Sequence, residues 1–336
     1  MLITGGAGFI GSEFVRMTIT EYPEDSVVVL DKLTYAGNER NLDPVRDSGR
    51  MRFVHGDICD AALVDSIAAE TDVVVNFAAE SHVDRSLEAP GQFIQTDVYG
   101  TFVLMEAARS AGHQRFVHVS TDEVYGDVVF GRSHEGDPLR PRSPYSASKA
   151  GGELLVQAYR ASYGFPAVVT RGANTYGPYQ YPEKIIPLFI TNAIDDRELP
   201  IYGAGDAVRD YLYVADHAGA IDAVLRRGIP GEDYNIGTGG ETDGVTVADT
   251  VLALLEKPAT LKYFVRDRLG HDRRYALDST RVEALGWRPT VDFADGMRRT
   301  VEWYVANQAW WRPLKSGEFW EFYSRNYKPL PAAGAS

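Results

Sequence analysis

Five side chains between residues 121 and 149 have the chemistry that proton transfer requires. Thr121, Asp122 and Glu123 directly follow an apolar run, and Tyr145 and Lys149 are spaced at i and i+4. A helix would place the tyrosine and the lysine on one face. An ammonium beside a phenol lowers the pKa of the phenol, so the tyrosine could take a proton from a substrate hydroxyl. The same spacing is common on solvated helices, so its meaning depends on the elements around it.

A glycine-rich turn at the start of the chain predicts a dinucleotide site. Gly5, Gly8 and Gly11 follow a short apolar strand and precede apolar residues at helical spacing. Glycines allow a sharp turn and a close approach to a pyrophosphate, which then lies against the helix N-terminus. The next apolar run, 27–30, ends at Asp31, whose carboxylate suits a ribose and repels a 2′-phosphate. The pattern favours NAD over NADP; the alternative is a tight turn with a surface aspartate.

Further apolar runs continue the pattern of an α/β sheet. Residues 51–55 precede Asp57, and residues 73–77 precede Ala78 and Ala79, whose small side chains leave room for a ribose or pyrophosphate. The C-terminal ends of parallel strands line the cofactor crevice, so these residues are candidate cofactor ligands. Small residues that merely start a loop are the alternative.

The segment 93–111 is predicted to be one long helix that lies in the core or at a subunit interface. Phe93, Val98, Phe102, Met105 and Ala108 are predicted to lie broadly on one side of it, with Thr96 near the cofactor. Residues 127–142 are predicted to be a loop, which could act as a lid. A new helix is then expected at Ser143 and Pro144, which suit its N-cap and first position.

The order of these elements predicts a Rossmann-type doubly wound parallel sheet with a smaller C-terminal α/β domain for substrate. We expect a cofactor domain at 1–172, to which later segments return, and a mainly substrate-binding domain at 173–330. The second half combines aromatic residues, asparagines and isolated cations in short turns. Such residues suit a nucleotide sugar, because rings stack on the base and cations meet the diphosphate. Any one of them alone could equally lie on a surface loop.

Composition limits the partners and the compartment. The 336 residues are 44% hydrophobic and carry a formal net charge of −13, which argues against binding to nucleic acid or to an anionic membrane. No membrane span or targeting segment is expected. The single cysteine, Cys59, excludes an internal disulfide and fits a cytoplasmic location. The histidines show no metal-ligand spacing, so no metal is expected, and no nucleophile elbow of a hydrolase is present.

These motifs resemble the extended short-chain dehydrogenase/reductase superfamily and, within it, the dTDP-glucose 4,6-dehydratase family. The most discriminating piece is the stretch 120–126, because the related 4-epimerases share the glycine turn and the Tyr/Lys pair but lack adjacent Asp and Glu. Similar pieces occur at 31–38, 78–84, 177–180, 182–184 and 270–272. The chain departs from the family pattern at Thr175 and Leu269, where an asparagine and a proline are usual.

The resemblance implies a redox-neutral reaction through bound NAD that converts dTDP-glucose to a 4-keto-6-deoxy sugar nucleotide. Tyr145, helped by Lys149 and Thr121, would take the proton of the 4-hydroxyl as hydride leaves C4. Glu123 would remove the C5 proton, and Asp122 would protonate the departing C6 hydroxyl. Adjacent carboxylates can share this work only if one is protonated and the other ionised.

The resemblance also assigns binding residues. On the cofactor side it implies Gly5, Gly8, Phe9, Ile10, Gly11, Asp31, Lys32, Leu33, Thr34, Asp57, Ile58, Ala78, Ala79, Ser81, Thr96, Tyr145, Lys149, Asn174 and Thr175. On the substrate side it implies Ser81, Thr121, Asn174, Lys184, Ile185, Pro200, Ile201, Tyr202, Arg209, Asn235, Arg268 and His271. A homodimer through the helices at 93–111 and 144–163 is the implied assembly. Other nucleotide-sugar dehydratases, 4-epimerases and a non-catalytic NAD-binding sensor remain the alternatives.

Overall fold

The computed structural model describes residues 1–268 and 270–327. Leu269, one of the two departures from the family pattern, lies outside the described residues, as do the last three residues of the predicted second domain, 328–330.

Short strands alternate with helices along the described chain. The strands are β1 (Leu2–Thr4), β2 (Val27–Asp31), β3 (Met51–His55), β4 (Val73–Asn76), β5 (Arg115–Thr121), β6 (Ala167–Gly172), β7 (Asn174–Tyr176), β8 (Leu199–Tyr202), β9 (Val208–Arg209), β10 (Tyr211–Tyr213), β11 (Asp233–Ile236), β12 (Thr242–Asp243) and β13 (Lys262–Val265). The α-helices are α1 (Phe9–Glu21), α2 (Ala61–Ala68), α3 (Val83–Glu88), α4 (Pro90–Phe93), α5 (Thr101–Ser110), α6 (Pro144–Tyr163), α7 (Ile185–Ile194), α8 (Val214–Arg227), α9 (Gly244–Leu254), α10 (Thr280–Glu283), α11 (Phe293–Ala306), α12 (Gln308–Trp311) and α13 (Gly317–Asn326). The 3₁₀ turns are Glu39–Ser48, Asp122–Tyr125, Ala259–Leu261 and Arg312–Leu314, and Ile94–Gly100 is π-helical.

A parallel seven-stranded sheet forms the centre of the described structure, in the order β11-β6-β5-β4-β1-β2-β3. Helices cover both faces, which explains why its inner strands are nearly continuous runs of valine, isoleucine and leucine. Strand β1 is buried at all three of its residues. The order reverses between β1 and β4, and this reversal is where a doubly wound sheet binds its ligand. The predicted Rossmann-type fold is confirmed.

The second half of the chain contributes to two cores. Three two-stranded sheets form here, β10 with β7, β12 with β9 and β13 with β8. Strands β7, β8 and β10 pack with α7, α9 and α11 in a separate hydrophobic cluster. Strand β11 and helix α8 instead return to the central sheet and share its core with α1. This return agrees with the expectation for later segments, while the boundary at residue 172 stays a prediction.

The predicted long helix at 93–111 is interrupted. A π-helical segment, Ile94–Gly100, separates α4 from α5. Phe93, Met105 and Ala108 are buried as predicted, but Phe102 is 39% exposed and Val98 is only partly buried. The wider π turn shifts the helical phase, so Val98 and Phe102 do not share the buried side of Phe93, Met105 and Ala108.

The segment 127–142 is irregular, as predicted, but it is held in place. The carboxylate of Asp127 accepts the backbone N–H groups of Arg273 and Arg274 at 2.8 and 2.9 Å, and the N–H of Ser133 donates to the carbonyl of Ala276. These bonds fasten the loop to the chain near residue 275. Its action as a lid stays a prediction.

Candidate active site

Strand β5 and the turn after it position the two adjacent carboxyl groups. Thr121 keeps extended backbone geometry, and its hydroxyl accepts the backbone N–H of Glu123 at 3.3 Å, which starts a 3₁₀ turn over Asp122–Tyr125. Gly126 ends the turn at φ +75°, where an added Cβ would lie 2.4 Å from the carbonyl oxygen of Arg140. The turn therefore needs glycine at this position.

Helix α6 presents Tyr145 and Lys149 to the same place. The hydroxyl of Ser143 accepts the N–H of Ser146, and the hydroxyl of Ser146 accepts the N–H of Ser143, so both residues of a capping box are satisfied. Pro144 occupies the first helical position, as predicted. With its start fixed in this way, the helix places Tyr145 and Lys149 one turn apart along one cavity wall.

One cavity of about 300 Å³ brings most of the candidate residues together. All five candidate catalytic residues, Thr121, Asp122, Glu123, Tyr145 and Lys149, line it. The predicted cofactor residues that line it are Gly5, Gly8, Phe9, Ile10, Gly11, Asp31, Lys32, Thr34, Asp57, Ile58, Ala78, Ala79, Ser81, Thr96, Asn174 and Thr175. Leu33 is the one predicted cofactor residue outside this lining.

The glycine turn leaves an open cradle that fits a dinucleotide. Gly5 has φ +66°, and an added Cβ would lie 2.6 Å from the backbone nitrogen of Ala78. At Gly11 an added Cβ would lie 2.4 Å from the carbonyl oxygen of Gly5. Within the described chain, no side chain caps the first turn of α1, so the positive end of that helix faces the cavity. These residues suit a pyrophosphate.

The acidic residue after β2 is held rigidly. The carboxylate of Asp31 accepts the backbone N–H groups of Ala7 at 2.9 Å and of Leu33 at 2.8 Å. Burial nevertheless raises its pKa. At the next strand end, the carboxylate of Asp57 lies 2.7 Å from the ammonium of Lys32. A ribose and an adenine could meet these groups at the edge of the cradle.

The two carboxyl groups differ in their surroundings. Burial and the neighbouring charge of Glu123 raise the pKa of Asp122 to about 8. Burial also raises the pKa of Glu123, but the positive charges of Arg268, Lys184 and Arg209 oppose this rise. Asp122 is therefore suited to hold a proton at neutral pH, whereas Glu123 faces three cations that favour its ionised form.

The tyrosine and the lysine interact less directly than their spacing predicted. Burial raises the pKa of Tyr145 well above its usual value, and the charge of Glu123 adds to this. The charge of Lys149 is not among the main influences on the pKa of Tyr145, and the ammonium of Lys149 donates to the carbonyl oxygen of Val119 at 2.7 Å. A hydrogen bond with Thr121 favours the phenolate of Tyr145 instead. Burial lowers the pKa of Lys149.

The predicted substrate residues are more dispersed. Ser81, Thr121, Asn174 and Lys184 line the cavity. The other predicted substrate residues lie outside its lining and are Ile185, Pro200, Ile201, Tyr202, Arg209, Asn235, Arg268 and His271.

Several of these outer residues are engaged within the protein. The guanidinium of Arg209 donates to the carbonyl of Asp272, and the phenol of Tyr202 donates to Asp84. Asn235 is fully buried, and its amide accepts from the phenol of Tyr125 and donates to the carbonyl of Ser133. Arg209 and Arg268 still reach Glu123 through their charge, as the pKa of that carboxyl indicates.

The cavity walls also include residues that were not assigned to cofactor, substrate or catalysis. Tyr35, His82, Gln180, Glu183 and His217 line it. His82 has φ +106°, which is strained for a residue with a side chain and is typical of functional loops. The polar stretch that follows Ala79 was the available signal for His82. Glu183 lies in the similar piece 182–184, whereas His217 carries no local signal, because long-range packing brings it to the cavity.

A family model described as GDP-mannose 4,6 dehydratase matches residues 2–300. The chain belongs to this family. The dTDP-glucose 4,6-dehydratase of Streptomyces niveus is 51% identical over 94% of this chain and 96% of its own length. The predicted resemblance is confirmed.

Solved structures agree with these sequence matches. A double mutant of the dTDP-glucose 4,6-dehydratase from Streptomyces venezuelae, crystallised with NAD and a second ligand, is 50% identical with a TM-score of 0.92. That match covers 94% of this chain and 99% of the other. The UDP-glucose 4-epimerase of Thermus thermophilus in complex with NAD is 32% identical, with a TM-score of 0.84 and coverage of 91% and 99%. The dehydratase is thus the closer of these two neighbours.

No group of three or more His, Cys, Asp or Glu side chains in residues 1–268 and 270–327 is placed to hold a metal ion. No helix in the same ranges combines the length and the apolar character needed to cross a membrane.

Proposed function

We propose that this chain is a dTDP-glucose 4,6-dehydratase, which converts dTDP-glucose to dTDP-4-keto-6-deoxyglucose and water with the help of bound NAD. The observation that carries the proposal is the position of Asp122 and Glu123. They line the same cavity as Tyr145, Lys149 and the glycine cradle. Oxidation at a sugar carbon requires only the tyrosine, the lysine and the cofactor, so the paired carboxyl groups supply the chemistry of water loss.

Each of these side chains has one task in the proposed reaction. NAD held in the glycine cradle would take a hydride from C4 and later return it to C6, while Glu123 or solvent would return a proton to C5. Tyr145, held by Thr121, takes the proton of the 4-hydroxyl, and Lys149 provides a cation in the same cavity. Glu123 removes the C5 proton, which the neighbouring ketone has made acidic. Asp122, whose pKa is raised to about 8, gives its proton to the departing C6 hydroxyl.

Nucleotide specificity rests on the second half of the chain. We assign the sugar and diphosphate to Ser81, Asn174, Lys184, Arg209 and Arg268, since these surround or electrostatically face Glu123. Lys184 and Arg268 are partly buried and cationic, which suits a diphosphate.

Turnover of four nucleotide sugars tests the proposal. Incubation with dTDP-, UDP-, GDP- and CDP-glucose in deuterium oxide should give a 4-keto-6-deoxy product fastest from dTDP-glucose. Deuterium should enter at C5, and no NADH should accumulate overall. A product that retains its 6-hydroxyl would instead indicate a 4-epimerase. A protein that binds NAD but turns over none of the four would be the non-catalytic sensor.

We further propose that the enzyme is a homodimer that works in the cytoplasm. An apolar groove, lined by Ile94, Gln95, Val98, Tyr99, Phe102 and Leu155, lies on the outer face of the helices at 93–111 and 144–163. Ile94 is 53% exposed and Tyr99 is 44% exposed. Exposed aromatic and aliphatic residues gathered on one face are typical of a subunit interface. The single cysteine suits a reducing compartment.

A further inference from the structure

Asp97 is a buried carboxyl group beside the active site that none of the sequence motifs marked. It lies in the π-helical segment Ile94–Gly100 and is only 2% exposed. One of its oxygens accepts the backbone N–H of Glu80 at 2.9 Å, and the other lies 2.6 Å from the hydroxyl of Ser148. Asp97 therefore joins the loop that follows β4, which lines the cofactor cradle, to the helix that carries Tyr145 and Lys149.

The approach of the two helical segments is unusually close. An added Cβ at Gly152 of α6 would lie 2.5 Å from the carbonyl oxygen of Asp97, and one at Gly151 would lie 2.9 Å from Val98. Two successive glycines thus allow α6 to contact the backbone of the π turn. Single π turns in helices are frequent at functional sites, and this one turns the carboxyl group of Asp97 towards Ser148.

The hydroxyl of Ser148 links the protonation state of Asp97 to the backbone carbonyl of Tyr145. This hydroxyl lies within hydrogen-bond distance of both the Asp97 carboxyl and the carbonyl oxygen of Tyr145, at 2.6 and 2.8 Å. A hydroxyl has one proton to donate. When Asp97 is ionised, the proton of Ser148 goes to Asp97. When Asp97 is protonated, it can donate to Ser148, which is then free to donate to the carbonyl of Tyr145.

The charges around Asp97 come from three elements. Lys149 on α6 favours the ionised form of Asp97, whereas Glu80 opposes it, and burial raises the pKa of Asp97 to about 6. The buried His118 on β5 lies beside Lys149, whose charge, together with burial, lowers the pKa of the imidazole.

Asp97 in turn acts on both active-site groups. Burial lowers the pKa of Lys149, and the charges of Asp97 and then Glu153 oppose that lowering. Burial and the charges of Glu123, Asp97 and Asp122 raise the pKa of Tyr145. A single carboxyl group therefore acts on both the lysine and the tyrosine.

We propose that Asp97 is a positioning residue for the oxidation step: its carboxylate fixes α6 against the cofactor loop through Ser148 and Glu80 and supplies the counter-charge of the Lys149 ammonium. The proposal rests on the proposed dehydratase function, because it assigns Asp97 to the C4 oxidation of that reaction. It concerns the charge of Asp97 and not only its shape. Asp97→Asn preserves the shape and removes the charge.

The sign of the expected effect follows from the removed negative charge. Without it, the ammonium of Lys149 loses a favourable partner, so the pKa of Lys149 falls. The alkaline limb of the oxidation rate, along which Lys149 loses its proton, should move to lower pH by about one unit in Asp97→Asn. A role in packing alone would lower the rate at every pH without moving the limb.

The experiment is a single-turnover measurement of NADH absorbance after mixing the NAD-loaded enzyme with dTDP-glucose, from pH 5.5 to 10. Ser148→Ala is the matched control, because it removes the same hydrogen bond but keeps the carboxylate. Asp97 is ionised at alkaline pH in that variant, so its alkaline limb should coincide with that of the unmodified enzyme. Below about pH 7, the oxidation rate of Ser148→Ala should depend on pH differently from that of the unmodified enzyme. The reason is that the hydrogen bond from Ser148 had favoured the ionised form of Asp97.

The outcomes are separable. If the alkaline limb of Asp97→Asn coincides with that of the unmodified enzyme, or if that of Ser148→Ala shifts equally, the proposal is wrong. If Asp97→Asn fails to fold, as judged by circular dichroism, Ser148→Ala decides alone. An oxidation rate that depends on pH below 7 as it does in the unmodified enzyme overturns the proposal, and the altered dependence described above supports it. Absence of a 4-keto-6-deoxy product from the unmodified enzyme would contradict the dehydratase function itself.

Discussion

At the scale of single residues, the site depends on the unequal surroundings of two neighbouring carboxyl groups. Asp122 is buried beside the charge of Glu123, and the pKa of Asp122 rises to about 8. Glu123 faces Lys184, Arg209 and Arg268, whose charges oppose the effect of burial. The chemical roles of acid and base thus follow from position in the fold, since the two groups are chemically alike.

Substitution of each carboxyl group should block a different step. Glu123→Gln should lower the rate at which the C5 hydrogen exchanges with solvent by a factor of about 10³ or more, since the amide cannot accept the proton. Asp122→Asn should retain measurable exchange and lose water about 10²-fold more slowly. Proton NMR in deuterium oxide reports C5 exchange, and formation of the 6-deoxy product reports water loss. Equal and small effects of both substitutions would show that the roles are misassigned.

We also expect Asp122 to lower the stability of the folded protein at alkaline pH. Its pKa is 3.8 ordinarily and about 8 in the folded protein, so between these values the folded state holds a proton that the unfolded chain has lost. Stability due to Asp122 is therefore full below about pH 4 and falls as pH rises through 8. At pH 8.5, Asp122→Asn should raise Tm by about 3 °C or more. Scanning calorimetry at pH 5 and 8.5 checks this, and an equal Tm difference at both values would contradict it.

At the scale of elements, local sequence signals located most of the site. The start of α6 at Ser143 and Pro144 and the end of β2 at Asp31 follow the predictions, because caps, glycine turns and apolar runs act over a few residues. The π-helical segment was missed, since nothing in its composition distinguishes it from an α-helix. A regular helix counted at 3.6 residues per turn therefore grouped Phe102 with the buried residues Phe93, Met105 and Ala108, and it gave no reason to single out Asp97.

The glycine turn provides a test of one such element. Gly5→Ala would bring a Cβ to 2.6 Å from the nitrogen of Ala78, at the floor of the cofactor cradle. NAD affinity should fall by about tenfold or more, because Ala78 must move. Gly112→Ala is the matched control: Gly112 has φ +73° but nothing within 4 Å of an added Cβ.

Both substitutions carry a similar backbone strain, so only the contact at Ala78 separates them. Isothermal titration with NAD measures the difference, after protein purified without bound cofactor has been obtained. Equal NAD affinity in the two variants would show that the close approach of Gly5 to Ala78 does not affect cofactor binding.

At the scale of the whole molecule, the sequence was a weaker guide. Residues near a motif, such as Lys184 beside Glu183, reach the cavity together. Asn235 follows no such rule: strand β11 returns to the central sheet, and its amide serves the buried network of Tyr125 and Ser133. Contacts between segments a hundred residues apart depend on how the sheet is assembled. The local periodicity of the sequence does not predict such contacts.

The proposed dimer is a property of the whole molecule and can be tested by a charge placed in the apolar groove. Phe102→Asp should convert a dimer into a monomer, since a two-fold interface would bury the new carboxylate of both subunits. Phe264→Asp is the matched control, because Phe264 on β13 is equally exposed, at 39%, and lies outside the groove.

Sedimentation velocity at micromolar concentration distinguishes the two states, with the unmodified protein and Phe264→Asp expected as dimers. A monomeric unmodified protein would overturn the dimer proposal directly. A dimeric Phe102→Asp would mean that the subunits meet elsewhere. In the monomer, α6 would lose the partner that covers its outer face while keeping the Ser143 and Ser146 capping bonds. The monomer should therefore fold but have a lower Tm than the dimer at equal concentration.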